Sequence, residues 1–244
     1  MTTINAEGLH YRQLNDLIHE ALGRGETEIT VDNVRGQRYI GAGLREGVRL
    51  ILNGVPGNDL AAFMNGAEIM VNANAQDGVG NTMNAGRIYV RGDAGDLLGH
   101  SMRGGRIFVK GQVGYRAGVH CKAYADQLAI IVAGRTAGDY LGEYIAGGIT
   151  VVLNGDDVDG SPVGGYAGTG MHGGAIFVRG QVQEHQIGAE VALTQPDDDD
   201  WRLLAELIEE HCAAFDLDPS KYSRGEFVKL YPFSARPYGK LYAY

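Results

Sequence analysis

Short apolar segments recur along the chain about every 20 residues. Seven of them read LILNG, IMVNA, IYVRG, IFVKG, IIVAG, VVLNG and IFVRG, and they end at positions 54, 73, 92, 111, 134, 155 and 180. The residues two and four places before each end are aliphatic in all seven segments. Because alternate residues of a strand share one face, these two columns predict a buried face on every strand. In the fifth and sixth segments the predicted inward residues are Ile130, Val132, Val151 and Leu153.

The spacing of the segments predicts an all-β fold. Glycine-rich turns separate the strands, and no helical pattern long enough for a crossover connection lies between them, which favours a parallel β-helix solenoid over a βαβ sheet. Seven coils at ~4.8 Å per coil would span about 29 Å. Each coil buries its apolar face only against its neighbours, so we expect caps at both ends.

A third apolar column lies between the two inward columns and is predicted to face outward. Its members are Ile51, Met70, Tyr89, Phe108, Ile131, Val152 and Phe177. Seven stacked apolar side chains would expose more than the few hundred Å² typical of monomers, so we interpret this stripe as a candidate interface. Either the chain's own C-terminal segment covers it, or a partner subunit or a second copy does.

Helical periodicity appears only in the flanks of the repeat region. Residues 11–23 predict an amphipathic helix that ends at Gly23. A second helix is predicted after Asp197–Asp200, four acidic residues at a helix start, where negative charge is favourable. The tyrosine- and phenylalanine-rich end predicts an extended arm docked on the protein. The expected division is 1–27 as N-terminal helical cap, 28–195 as β-helix, and 196–244 as C-terminal helix and arm.

Composition narrows the functional classes. The chain has 38 glycines but only 6 prolines among 244 residues, and 44% hydrophobic residues, which excludes collagen and argues against a disordered chain. A net charge of −9 disfavours nucleic acid and anionic membrane surfaces as partners. The sequence shows no leader peptide and no apolar run long enough to cross a membrane, so a cytoplasmic location is expected.

Most residues with catalytic potential have a structural interpretation as well. Cys121 follows His120 and invites a nucleophile hypothesis, but it also stands 19 residues after Met102 in a series with Met64 and Met83, which favours a buried rung of the solenoid. Histidines in the turns could converge, although turn or surface positions are favoured; they are His100, His120 and His172. No metal or cofactor site is predicted in this chain.

Two consecutive turns carry the same glycine pattern, GxxGxxxG. They place glycine at Gly92, Gly95, Gly99, Gly111, Gly114 and Gly118. This pattern, in register with the strands, resembles the GXGXG domain at the C-terminal end of the glutamate synthase large subunit, in the form of a separate subunit. The same family includes the β-helical component of formylmethanofuran dehydrogenase and a component of N-methylglutamate synthase.

The resemblance implies a right-handed β-helix and a scaffold role without catalytic residues. The expected complex is an oxidoreductase of the glutamate synthase type, with amidotransferase and flavin synthase subunits as partners or a homo-oligomer instead. FMN and iron–sulfur clusters are then expected in the partner subunits and not in this chain. One alternative is a formylmethanofuran-dehydrogenase-like or N-methylglutamate-synthase-like complex, and another is an enzyme with a site near residues 155–174.

Overall fold

The computed structural model describes residues 2–125 and 127–233. Its strands form a single sheet in the order β1-β2-β3-β4-β5-β6-β7-β8-β9-β11-β10. The elements are β1 (Thr2–Asn5), α1 (Tyr11–Gly23), β2 (Glu28–Arg35), β3 (Arg49–Val55), β4 (Asn65–Val71), β5 (Ala85–Val90), β6 (Gly105–Val109), β7 (Ala129–Ala133), β8 (Ala146–Val152), β9 (Gly173–Arg179), β10 (Val191–Thr194), α2 (Asp198–Phe215) and β11 (Phe227–Pro232). None of the helices in this part of the chain is long and apolar enough to cross a membrane.

Successive strands from β1 to β9 are parallel neighbours, so the chain winds as the predicted β-solenoid. Ile88 pairs with Ile107, and Val90 pairs with Val109, which places like side chains above one another. The solenoid makes about six turns, slightly fewer than the seven coils predicted.

The interior of the solenoid holds the aliphatic columns and the sulfur-containing ladder. Met64, Met83 and Met102 are fully buried, and Cys121 is 2% exposed. The Cys121 thiol donates a hydrogen bond to the carbonyl of Gly99, with Sγ and O 3.2 Å apart. The interpretation of Cys121 as a core rung is therefore confirmed.

The strand alignment predicted for the fifth and sixth segments is wrong by one residue. Ile131 pairs with Ile107, and Val152 lies between Ala133 and Val178, so both side chains face the interior and not the outward stripe. The predicted inward residues Ile130, Val132, Val151 and Leu153 instead pack on the outer face. The physical reason is that Gly134 bonds through its N–H to the carbonyl of Val109 and so occupies the position of Lys110, not that of Gly111.

The N-terminal cap combines a strand with the predicted helix. Helix α1 spans the predicted residues and buries Leu14, Ile18 and Ala21. Its N-cap is His10, whose backbone N–H donates a hydrogen bond to the side-chain oxygen of Gln13. Strand β1, which is not predicted from the sequence pattern, pairs in parallel with β2 and begins the sheet.

The C-terminal end of the sheet is antiparallel. Strand β11 pairs with β9 and with β10, so residues 229–232, the first part of the predicted arm, extend the sheet. Short 3-10 turns precede these strands at Glu184–Gln186, Pro219–Lys221 and Arg224–Glu226. Residues 234–244, the rest of the predicted arm, lie outside the described residues.

We expect Cys121→Ala to lower the free energy of unfolding by about 1–2 kcal/mol, because it leaves a small cavity and removes the bond to Gly99. Urea denaturation followed by circular dichroism measures this change.

Burial raises the pKa of Cys121 to about 12, so its reactive thiolate is scarce at pH 8. Native protein should resist a thiol reagent that labels it readily in urea, and rapid native labelling at Cys121 would contradict this burial.

Candidate functional site

Helix α2 lies over the predicted interface stripe. Phe108 and Phe177 are fully buried in a second apolar cluster with Leu204 and Phe215 of the helix, and Tyr89 packs against it. The rings of Tyr89 and Phe108 stack with centroids 5.4 Å apart. Of the two covers considered for the stripe, the chain's own C-terminal helix is the one present at these positions.

The other members of the candidate interface divide into two groups. Ile51 and Met70, on the two coils before Tyr89, remain partly exposed and do not join the α2 cluster. Ile131 and Val152 face the solenoid interior, as the corrected register requires. The helix-facing positions of those strands are filled by Val132 and Val151 instead.

Charged residues beside the stripe hold α2 in place. Glu210 accepts hydrogen bonds from Arg87 at 2.9 Å, from the Tyr89 hydroxyl at 3.1 Å and from Arg106. Arg106 also forms an ion pair with Glu206, at 2.8 Å. Burial pushes the pKa of Glu210 upward, but the hydrogen bonds from Arg87 and Arg106 outweigh it, and the pKa lies below its ordinary value.

The acidic start of α2 is a capped helix N-terminus. The Asp197 side chain accepts from the N–H groups of Asp199 and Asp200, and this lowers the pKa of Asp197. Asp200 binds the ammonium of Lys229 at 2.7 Å, which ties the helix to β11. The aspartates therefore serve helix capping and docking.

His211 is an ionisable group buried under α2. It lies against the rings of Phe108 and Phe215, and its Nε2 is 2.9 Å from the place where a Cβ on Gly134 would stand. Neither ring nitrogen has a hydrogen-bond partner among the described residues. Burial first, and then the charge of Lys110, lowers the pKa of His211 to about 4.

The first two glycines of each GxxGxxxG turn allow coils to approach closely. A Cβ on Gly92 would overlap the side-chain oxygen of Asn74 in the preceding coil, and one on Gly95 would overlap Asp77. These oxygens accept hydrogen bonds from the N–H groups of Asp93 and Asp96, both at 2.9 Å. The next coil repeats the arrangement at Gly111 and Gly114.

The third glycine of each turn has a different role. Gly99 and Gly118 have φ angles of 68° and 75°, in the left-handed region that glycine adopts without strain. They belong to an inward row of left-handed residues, one in each coil. This row comprises Gly41, Ala61, Gly80, Gly99, Gly118, Gly142 and Gly168.

Two more left-handed rows flank the inward row and together form a surface that we name the turn face. All of their φ angles lie between 53° and 72°. The first row is Tyr39, Asp59, Gly78, Leu97, Arg116, Tyr140 and Tyr166, and the second is Gly43, Phe63, Thr82, Ser101, His120, Tyr144 and Gly170. Up to the last coil, the backbone N–H of each of these residues bonds to the carbonyl of the residue before its counterpart in the next coil.

The turn face carries exposed aromatic side chains. Phe63 is 61% exposed and Tyr166 is 55% exposed. Tyr166 stacks on Tyr140 with ring centroids 5.0 Å apart, and the Arg116 guanidinium lies 4.7 Å from the centre of the Tyr140 ring. The sequence alone does not reveal this surface, because its residue types vary from coil to coil and only their recurrent position near the glycines is a signal.

The structure brings two of the three candidate histidines together. The rings of His100 and His120 are 6.1 Å apart at the turn face, and His120 stacks on Tyr144. His172 is exposed, and its Nδ1 lies 3.1 Å from the carbonyl of Gly170. Within residues 2–125 and 127–233, no group of three or more histidine, cysteine, aspartate or glutamate side chains is arranged to hold a metal ion.

The region of the alternative enzyme site, residues 155–174, begins with a charged and mostly exposed loop over residues 155–160. Asp156 pairs with Arg135, and Asp157 pairs with Arg179 at 2.7 Å. Both acidic side chains therefore serve to fasten the loop to neighbouring coils.

The sequence matches a protein family that is named for a glycine motif, and it also matches a curated relative. The model of the GXGXG motif family matches residues 24–232. A curated relative, named Uncharacterized protein MJ1350, from Methanocaldococcus jannaschii, is 45% identical over 249 residues. The alignment covers 98% of this chain and 95% of the relative, so the similarity extends over the capping elements as well as the coils.

We expect Phe108→Asp to destabilise the isolated chain by at least about 3 kcal/mol, because it places a charge beneath α2. Phe63→Asp on the exposed turn face is the matched control and should leave stability within about 0.5 kcal/mol of the parent. Urea unfolding followed by circular dichroism compares the two variants. An unchanged midpoint for Phe108→Asp would show that α2 does not cover the stripe in solution.

The buried His211 predicts a loss of stability in acid. Its folded-state pKa of about 4 lies below the unfolded value near 6.5, so the unfolded state binds the proton first and stability falls between about pH 6.5 and pH 4. The loss from this group is about 3 kcal/mol by pH 4. His211→Phe keeps an aromatic ring at this position, and the parent chain should lose about this much unfolding free energy relative to the variant over that window. A pH-independent difference would refute the assignment.

Proposed function

This chain belongs to the GXGXG motif family, and from that premise we propose that it is a non-catalytic scaffold subunit of a glutamate-synthase-like complex. Its partners are an amidotransferase subunit that releases ammonia from glutamine and a flavin- and iron–sulfur-containing synthase subunit that forms glutamate. FMN and the clusters belong to the partners. The proposed contribution of this chain is to hold the two subunits in a fixed relation.

The exposed turn face is the observation that carries the proposal. A left-handed backbone costs an L-residue roughly 1–2 kcal/mol, and glycine avoids this cost. Glycine stands in these rows at Gly43, Gly78 and Gly170, so the position accepts it. Other coils nevertheless present Phe63, Leu97 and tyrosines to solvent there. Large aromatic side chains at rigid, exposed positions are typical of binding hot spots.

The position of α2 also favours the turn face as the surface that binds a partner, because the helix covers the other apolar stripe. Because α2 buries Phe108 and Phe177, a partner cannot reach the middle of the stripe without displacing the helix. The turn face needs no such rearrangement. Its side chains repeat at the coil spacing of ~4.8 Å, so partners bound to it would be held at defined distances along the solenoid.

Substitutions in the two exposed rows should weaken association with partners without lowering the stability of the isolated chain. Phe63→Gly combined with Leu97→Gly should keep or raise the stability of the isolated chain, by up to about 1 kcal/mol per site, because both residues have left-handed backbones. The same variant should weaken association with the amidotransferase and synthase subunits from the same source. Size-exclusion chromatography and glutamine-dependent glutamate formation measure the association and its consequence.

Leu128→Ala is the control, since Leu128 is 45% exposed but lies outside both rows. It should leave association unchanged. Co-elution that survives loss of Phe63 and Leu97 would remove the turn face from the interface. Failure of the parent chain to associate, or turnover of glutamine by this chain alone, would overturn the scaffold role.

A further inference from the structure

Helix α2 rests on the solenoid as a separate layer with its own apolar contacts. Its buried residues, which include Leu204, Leu207 and Phe215, form a cluster with Phe108 and Phe177 of the outer face. The aliphatic interior of the solenoid is a different cluster, and it contains no residue of α2. Proteins open locally in units that have their own contacts, so α2 can leave the outer face without opening the interior.

Ion pairs at the rim of this layer hold α2 in place at neutral pH. Glu210 binds Arg87 and Arg106, and Asp200 binds Lys229. Burial raises the pKa of Glu210, but hydrogen bonds from Arg87 and Arg106 outweigh burial and keep this pKa below its ordinary value. The carboxylate of Glu210 is therefore still ionised at pH 5, and mild acid leaves its contacts intact.

Beneath the helix, by contrast, lies an ionisable group with no polar contact. His211 is fully buried against the rings of Phe108 and Phe215. In the part of the chain that the structure describes, neither of its ring nitrogens has a hydrogen-bond partner. Gly134 leaves the room that the imidazole occupies, since a Cβ there would stand 2.9 Å from Nε2. An imidazole in such an apolar setting is stable in its neutral form, because nothing replaces the water that a charged ring would lose.

The charged groups around His211 do not favour a proton on its ring. Burial first, and then the positive charge of Lys110 at the end of β6, lowers the pKa of His211 to about 4. Glu210 of α2 is bonded to arginines of β5 and β6, and Asp218, after α2, is bonded within its own turn. The other ionisable side chains of the adjoining segments are Tyr89, Arg135, Cys212, Lys221 and Tyr222.

Release of α2 exposes the His211 imidazole to water, where its pKa returns to about 6.5. The released state therefore binds a proton more tightly than the docked state, and acid shifts the equilibrium towards release. The two pKa values, about 4 docked and about 6.5 released, give a shift of about thirtyfold in this equilibrium between pH 7.5 and pH 5.

We propose that α2 is an acid-released cover of the apolar stripe, and that protonation of His211 undocks the helix while the solenoid stays folded. Release uncovers Phe108, Phe177 and the apolar residues beside them. A face that is closed at neutral pH thereby becomes an exposed apolar patch in mild acid. This switch lies within the chain and does not depend on the scaffold role.

The two cysteines of the chain report on the two layers separately. Cys212 is buried under α2, and Cys121 is buried in the solenoid interior. The test labels the full chain with dilute 4,4′-dithiodipyridine at pH 7.5 and at pH 5, so that labelling is slower than redocking and follows the released population. Each rate is divided by the rate for the urea-unfolded chain at the same pH, and mass spectrometry assigns the label. We expect the normalised rate at Cys212 to rise about thirtyfold at pH 5, while the rate at Cys121 stays at its neutral value.

His211→Phe removes the titrating group, so the normalised Cys212 rate of this variant should not change with pH. His185→Phe is the control, because this histidine is exposed and lies outside the α2 cluster, and it should respond to acid as the parent does. Circular dichroism confirms that each variant is folded before labelling. Where His211→Phe does not fold, the parent decides the outcome, since its Cys212 rate should rise about tenfold per pH unit below about pH 6.

Equal labelling of Cys121 and Cys212 at pH 5 would show that the whole chain unfolds and would overturn the proposal. A Cys212 rate in the parent that does not depend on pH would overturn it as well. The same acid response in His211→Phe and in the parent would assign the release to another group and contradict the role of His211.

Discussion

Close stacking of successive coils is the constraint on which the rest of this structure depends. Parallel strands bring backbones to ~4.8 Å, and the turns must keep the same spacing although they change direction. Asn74 and Asp77 help to hold the turns by accepting N–H groups of the next coil, and Gly92 and Gly95 leave the space for those side chains. The glycine motif is therefore explained by packing between coils rather than by ligand binding.

The same stacking transmits a backbone conformation from coil to coil. Three residues of each turn adopt positive φ, and the outer ones are bonded to the next coil. A single residue cannot relax without breaking these bonds, so Phe63 and Tyr140 remain left-handed despite the cost. Burial of apolar side chains offsets this conformational cost. It occurs in the aliphatic interior and in the second apolar cluster under α2, where Phe108 and Phe177 are buried.

Local signals in the sequence were sufficient for the fold class, the repeat and the two helices. The boundaries of α1 follow from its apolar spacing, and the run of aspartates marks the start of α2, although the helix begins at Asp198 and not after Asp200. The register of β7 and β8 was not recoverable in this way. Their apolar runs lack alternation, and Gly134 looks like a turn glycine although it occupies the place of Lys110. The turn face and the contact between His211 and Gly134 depend on tertiary stacking, which no single repeat reveals.

Gly134 connects these observations. Had this position carried a side chain like Lys110, the outward row would continue and His211 could not enter beneath α2. The absence of that side chain lets the helix seat on the stripe, which closes that face to a partner. The apolar face left open is the turn face. The surface of the solenoid is thus divided between a stripe that α2 covers, which stabilises the chain itself, and a turn face that stays exposed.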